Sequence, residues 1–421
     1  MNTKNHILFL ISLTAIATSF SSCLSDNDNP DTNLREERKE IVLSGETRAT
    51  AKKLENFYLH FTTDMTEYTL SSSSEKSKNV VVSPLSAAMV LGMTANGITG
   101  DTQQKLIDYL GIDNISSINA LCEMLLTHLP EADKMAEIYL ANSLWLNSAY
   151  KLSLTPEFSQ VISGKYSGLT FSYDFGADNE QAKNAINSWC EESSHGMIRN
   201  YLADLSQELL FILLNSTYFK APWGDDIFSE TGTKQGHFNG ANGISEVMMM
   251  HGNIDMTYVA HNNDFEKFSI PFGNSAFNLE IILPGKDLSV AEACSKLTSE
   301  NIEALDHSKE PCELTILMPK FKTECKSDIT KMLEALYPGM LADSEFDMFE
   351  PKASGTLRFK QATAINIDEN GVEAGVVSSA DGSLSAPYYK PYTVTVDRPF
   401  FFFITEYSTG ACILSGLIAD I

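Results

Sequence analysis

The chain has 421 residues, enough for two or three domains of ordinary size or for one large α+β unit. Hydrophobic residues make up 43% and charged residues 20%, which supplies a large core and excludes a disordered polyelectrolyte or a collagen-like repeat. Against 30 basic side chains stand 55 acidic ones, a formal charge of −25, and binding to nucleic acid phosphates needs the opposite balance, so no nucleic acid partner is expected.

At the N-terminus Lys4 precedes an apolar run from Ile7 to Phe20, then Ser21, Ser22 and Cys23, so residues 1–22 read as a secretory signal peptide, too short to span a bilayer comfortably. Residues 23–49 are polar and acidic with almost no apolar periodicity, the pattern of a flexible, solvated tether. A cysteine behind two small residues resembles the lipobox of bacterial lipoproteins, with Phe20 where an aliphatic residue is usual. Asp26 and Asp28 resemble the surface-export signal of Bacteroidetes lipoproteins. These resemblances imply lipid attachment at Cys23, display at the outer membrane and membrane contact through the lipid only; a periplasmic or secreted protein is the alternative.

Residues 50–421 read as one domain, since no internal repeat divides them. Its first half is mainly helical. Leu54, Phe57, Tyr58 and Phe61 recur at helical spacing, 86–96 is an apolar Ala/Met/Leu segment, and 101–110 stops at Gly111. The second half is richer in strands: 209–214 is a continuous apolar run suited to a strand covered on both faces, and 277–283, 314–318, 393–396 and 400–405 read similarly. Six further cysteines (Cys122, Cys190, Cys294, Cys312, Cys325, Cys412) include no CxxC and no histidine at ligand spacing, so no metal site or cofactor is expected.

Catalytic patterns are absent: there is no HExxH, no GxSxG elbow, no GxxxxGK[ST] phosphate loop and no GxGxxG after a strand. Ser73-x-x-Lys76 lies in a polar serine run, and His195 near Glu191 and Glu192 fits a solvated helix end. An enzyme is not expected.

Five blocks, read together, carry more: Asn79-Val-Val-Val-Ser-Pro-Leu-Ser86, Asn215-Ser-Thr-Tyr-Phe-Lys-Ala-Pro-Trp223, Glu369-Asn-Gly-Val-Glu-Ala374, Asp397-Arg-Pro-Phe-Phe-Phe402, and Gly416. In this order they resemble the serpin family over nearly all of 50–421. The resemblance implies an α+β serpin-like fold, three β-sheets with eight or nine helices and an exposed reactive-centre loop at about 369–392. It implies a monomer that traps serine proteases, with cysteine proteases as a second class, by offering that loop as bait. It also implies a shutter and breach at Ser83, Ser86, Asn215, Trp223 and Gln361, with Gln361 where many serpins place a histidine.

The loop itself can be read physically. A strand inserted into a covered sheet alternates its side chains between faces. By twos from Val372 the residues are Val372, Ala374, Val376, Ser378, Ala380 and Gly382, none charged or bulky, whereas the interleaved Glu373, Gly375, Val377, Ser379 and Asp381 hold both charges. No proline interrupts 369–386, and Gly371 sits where strand must swing into loop. Glu369, Gly371, Val372, Glu373, Ala374, Gly375, Val376 and Val377 are the expected hinge. Counting forward seventeen residues from Glu369 puts the reactive bond among Leu384, Ser385 and Ala386, which suits an elastase-like or chymotrypsin-like pocket. The expected function is suicide-substrate inhibition; the alternative is a non-inhibitory serpin acting as a binding or chaperone-like surface lipoprotein.

Overall fold

A computed structural model of the chain describes residues 38–72, 79–224, 227–341, 344–372 and 389–421. Among them are nine α-helices: α1 Gly45–Ser72, α2 Pro84–Gly97, α3 Asp101–Leu110, α4 Ile115–His128, α5 Pro156–Lys165, α6 Asn179–Ser193, α7 Val290–Lys296, α8 Ser299–Asp306 and α9 Ile329–Leu336. The strands of the first half are β1 Val80–Val82, β2 Ile98–Thr99, β3 Glu137–Asn147, β4 Ser153–Leu154 and β5 Leu169–Tyr173. Then come β6 Phe211–Pro222, β7 Lys234–Gly240, β8 Gly243–His261, β9 Phe265–Phe272, β10 Phe277–Pro284, β11 Glu310–Pro319 and β12 Phe321–Asp328. The last are β13 Ser344–Phe346, β14 Phe349–Glu350, β15 Ala353–Gly355, β16 Lys360–Asp368, β17 Gly371–Val372, β18 Lys390–Thr395, β19 Phe400–Glu406 and β20 Cys412–Ile418.

The helices form where the sequence places caps. Ser83 accepts a hydrogen bond from the Ser86 backbone N–H and Pro84 opens α2, which is almost wholly buried, as its Ala/Met/Leu content requires. In α3 the chain stops at Gly111 with φ 69°, the left-handed conformation that ends helices and that glycine adopts without strain. Along α6, Ala182, Ile186 and Cys190 are buried at four-residue spacing, one stripe of an otherwise polar helix.

Two large sheets carry the fold. One has six strands in the order β12-β16-β17-β6-β3-β5. The other has nine, running β1-β20-β19-β10-β9-β8-β11-β18 with β7 paired to β8. The 19-residue β8 joins its two halves, pairing with β7 and β11 along most of its length and with β9 at its end. The three expected sheets thus correspond to the six-stranded sheet and the two halves of the nine-stranded one.

On the outer side of the six-stranded sheet, α6 and the segment after it cover Trp145, Leu214 and Ile212 in a separate apolar cluster. The main core lies on the other side, against α1 and α2. The run at 209–214 enters the β6 ladder at Phe211, between these two cores.

One boundary differs from expectation. The tether does not extend to residue 49: α1 begins at Gly45, Ile41 and Leu43 are buried, and the Ile41 and Lys39 backbone N–H groups donate to Ser408 Oγ and Ala132 O. The segment was too short to show a period, and its partners lie far along the chain. All six cysteines in the described residues are free thiols, and all but the half-buried Cys325 are buried.

Candidate functional site between two central strands

Strands β6 and β16 run parallel and are neighbours only through the two residues of β17. Gly371 pairs with Pro222 on one side and Asp368 on the other, and Val372 pairs with Ala221 and Ile367. Val372 is 1% exposed and packs with Ile367 and Ala221 in the core. The first inward position expected of the hinge is therefore already a sheet residue. At Gly371, φ is 124°, and a Cβ there would stand 2.1 Å from Ala221 O and 2.8 Å from Pro222 Cα. No side chain fits so close to the neighbouring backbone, so the position calls for glycine.

The turn into β17 is held from both sides. Trp223 Nε1 donates to Asp368 O at 2.8 Å, and its ring stacks on Phe272 with centroids 4.7 Å apart. Glu369 accepts from Thr233 Oγ1 at 2.6 Å and from Lys320 Nζ at 2.9 Å, with its side chain 7% exposed. Burial pushes this carboxyl up, but the hydrogen bonds from Thr233 and Lys320 and the lysine charge outweigh it, so it sits below the ordinary glutamate value.

Lower in the sheet, Gln361, Thr217 and Asn215 join Ser83 and Ser86 in one hydrogen-bond network at the start of α2. Gln361 grips the Ser83 backbone with both ends of its amide: Oε1 accepts from Ser83 N and Nε2 donates to Ser83 O, each at 2.9 Å. Ser83 Oγ also donates to Thr217 Oγ1 at 3.4 Å, Thr217 donates to Asn215 Oδ1 at 3.1 Å, and Asn215 Nδ2 donates to Asn142 Oδ1 at 2.8 Å. Thr363 donates to Val81 O. Every member is neutral, so Gln361 in place of a histidine leaves a network whose hydroxyls and amides both donate and accept without a charge.

Thr217, Asn142, Thr363, Lys320 and Thr233 were missing from the sequence reading. Asn142 had one usable signal: it is a polar residue between the apolar pairs Ile138/Leu140 and Leu144/Leu146 of β3, and it is 2% exposed. His195, Glu191 and Glu192 form no acid/base unit. His195 stacks on Tyr218 at 4.5 Å, and Glu191 pairs with Arg199 at 3.2 Å. The hinge positions Glu373, Ala374, Gly375, Val376 and Val377, the reactive-bond candidates Leu384, Ser385 and Ala386, and Cys23 lie outside the described residues.

Comparison with known proteins agrees with this arrangement. The family described as "Serpin (serine protease inhibitor)" matches residues 58–421. The chain belongs to the serpin family. Iripin-3 of Ixodes ricinus is 24% identical over 82% of this chain and 90% of its own length. An uncharacterized serpin-like protein of Thermococcus kodakarensis is 26% identical over 80% of each chain. Among solved structures, the native state of the thermophilic serpin tengpin superposes with TM-score 0.75 at 24% identity, covering 92% of this chain and 97% of that one. Human thyroxine-binding globulin complexed with thyroxine gives 0.74 at 20% identity, over 88% and 99%. These two likenesses speak for the serpin fold.

Proposed function

We propose that this serpin is a suicide-substrate inhibitor of serine proteases of elastase or chymotrypsin type, with cysteine proteases as a second target class. The observation that carries the reading is the pairing of Gly371 and Val372 between β6 and β16. Continuing that register, each further loop residue moves one step back along both strands. Seven steps on, Ser379 would lie opposite Leu214 and Lys360; twelve steps on, Leu384 would lie opposite Leu209 and Gly355. A cavity of about 500 Å³ is lined by 209–214 on one side and 354–360 on the other, which is where those loop residues would go. Since Val372 faces the core, Ala374, Val376, Ser378, Ala380 and Gly382 would face it too, and Glu373 and Asp381 would face outward.

Cleavage near Leu384, Ser385 and Ala386 would free the loop to enter. About fifteen residues at ~3.3 Å each carry the attached protease some 50 Å. A displacement of even about 1 Å in a catalytic geometry costs on the order of a hundredfold in rate, so the acyl-enzyme is stranded. Incubation with elastase and chymotrypsin followed by denaturing electrophoresis tests this. A band at the summed mass is expected; cleaved serpin with no such band rejects trapping and favours a non-inhibitory binding role.

We further propose that Cys23 carries the lipid and that the polar stretch behind it displays the inhibitor at the outer-membrane surface, supported by the run Ile7 to Phe20 and by Asp26 and Asp28. Cys23→Ser should move the protein out of the membrane fraction. If it stays there, the anchor is wrong.

A further inference from the structure

The segment after α6, residues 194–206, runs across the outside of the six-stranded sheet. On one side it is fastened to α6: Asn187 accepts from Leu202 N at 2.8 Å and donates to Leu202 O at 3.0 Å, and Asn179 donates to Leu205 O. His195 stacks on Tyr218 of β6 and lies 4.2 Å from the Tyr139 ring of β3. Two hydrogen bonds then carry the segment to the other side, from Lys326 Nζ of β12 to Asn200 O at 3.3 Å and from Tyr201 Oη to Lys360 O of β16 at 3.1 Å. Tyr201, Leu202, Asp204 and Leu205 also line the cavity between β6 and the entry to β16.

The direction of the Lys360 carbonyl decides what the tyrosine does. The register of β16 on β12 is unbroken from Lys360 to Ile367, so carbonyls an even number of residues apart point to the same side. Asp368 O, eight residues on, is taken by Trp223 from the β6 side. Phe359 O, one residue before, is taken by Thr330 from the α9 side. Lys360 O therefore points toward β6, into the path of any strand entering between β6 and β16.

We infer that Tyr201 is a placeholder donor: its hydroxyl satisfies the backbone acceptor that an incoming strand would use opposite Ser379, and it must surrender that acceptor before the strand can pass the lower half of the sheet. The inference rests on the insertion reading above. Burial pushes the phenol well above its ordinary value, so it remains a donor across the working pH range.

The test uses the intact purified chain and a synthetic peptide with the sequence of residues 373–385 as the incoming strand, following annealing by native electrophoresis and melting. Tyr201→Phe removes the hydroxyl and keeps the ring. It should speed annealing about threefold, the lower range of one neutral hydrogen bond, and lower the melting temperature of the free chain while leaving that of the annealed form unchanged. A merely structural tyrosine would lower both melting temperatures and leave the rate alone, which overturns the inference. Lys326→Met cuts the other crossing bond without touching a β16 carbonyl and should leave the rate unchanged; equal acceleration by both variants would make the whole segment the barrier and overturn the placeholder. If the peptide fails to anneal to the wild-type chain, the insertion reading fails and the inference with it. If it anneals but no protease is trapped, only the inhibitory reading is lost.

Discussion

The turn at 369–372 and the polar network around Ser83 border the same six-stranded sheet and are built from opposite chemistry. Around Glu369, Gly371 and Val372 the contacts are an ion pair, a stacked tryptophan and backbone pairing on both sides. Around Ser83 they are neutral amides and hydroxyls. A charge fixed by a partner is costly to move, whereas neutral groups can change partners at about the strength of one ordinary hydrogen bond. In the insertion proposed above, the upper end would be the fixed point and the network around Ser83 the part able to rearrange.

The largest break in this contrast should come from Val372→Arg. A guanidinium at a position 1% exposed faces a desolvation cost of roughly several kcal/mol, so β17 should unpair and protease mixtures should yield cleaved serpin in place of complex. Gly371→Ala should be next. A Cβ 2.1 Å from Ala221 O at φ 124° cannot be accommodated, and strain of at least about 1–3 kcal/mol should free the pair; faster hydrogen exchange at the Val372 amide is the readout. Gln361→Ala orphans the Ser83 N–H and leaves Ser83 O with the Ala87 N–H as its remaining donor, a cost of about 1–3 kcal/mol visible as a lower denaturation midpoint with no effect on Val372 exchange.

The smallest effect is pH-dependent. The folded Glu369 carboxyl titrates below its ordinary value near 4.5, so its contribution to stability is present above that pH and is lost as pH falls through the folded value. Wild type should exceed Glu369→Gln in stability at neutral pH, with the gap closing below about pH 4.5. A gap that persists unchanged in acid would contradict the ion-pair account.

Much of the fold was legible because it rests on local rules. The glycine stop after α3, the buried Ala/Met/Leu helix and the apolar strands at 277–283 and 400–405 all form as their residues dictate. Gly371 and Val372 were legible for the same reason, one as the residue that tolerates the bend and the other by alternation. The partners of the site were not legible. Lys320 lies 49 residues from Glu369 by their numbering, and Tyr201 lies 159 residues from Lys360. A lysine or tyrosine reads as a solvated or core residue until the sheet topology brings its partner alongside. The docking of Lys39 and Ile41 was hidden in the same way, since their partners are Ala132 and Ser408.

The most direct test of strand insertion is the melting temperature of the chain before and after a single cut within 373–388 by a protease that does not become trapped. Insertion adds a fully paired central strand, so the cut chain should melt far above the intact one. A cut chain that melts at or below the intact chain would contradict insertion between β6 and β16.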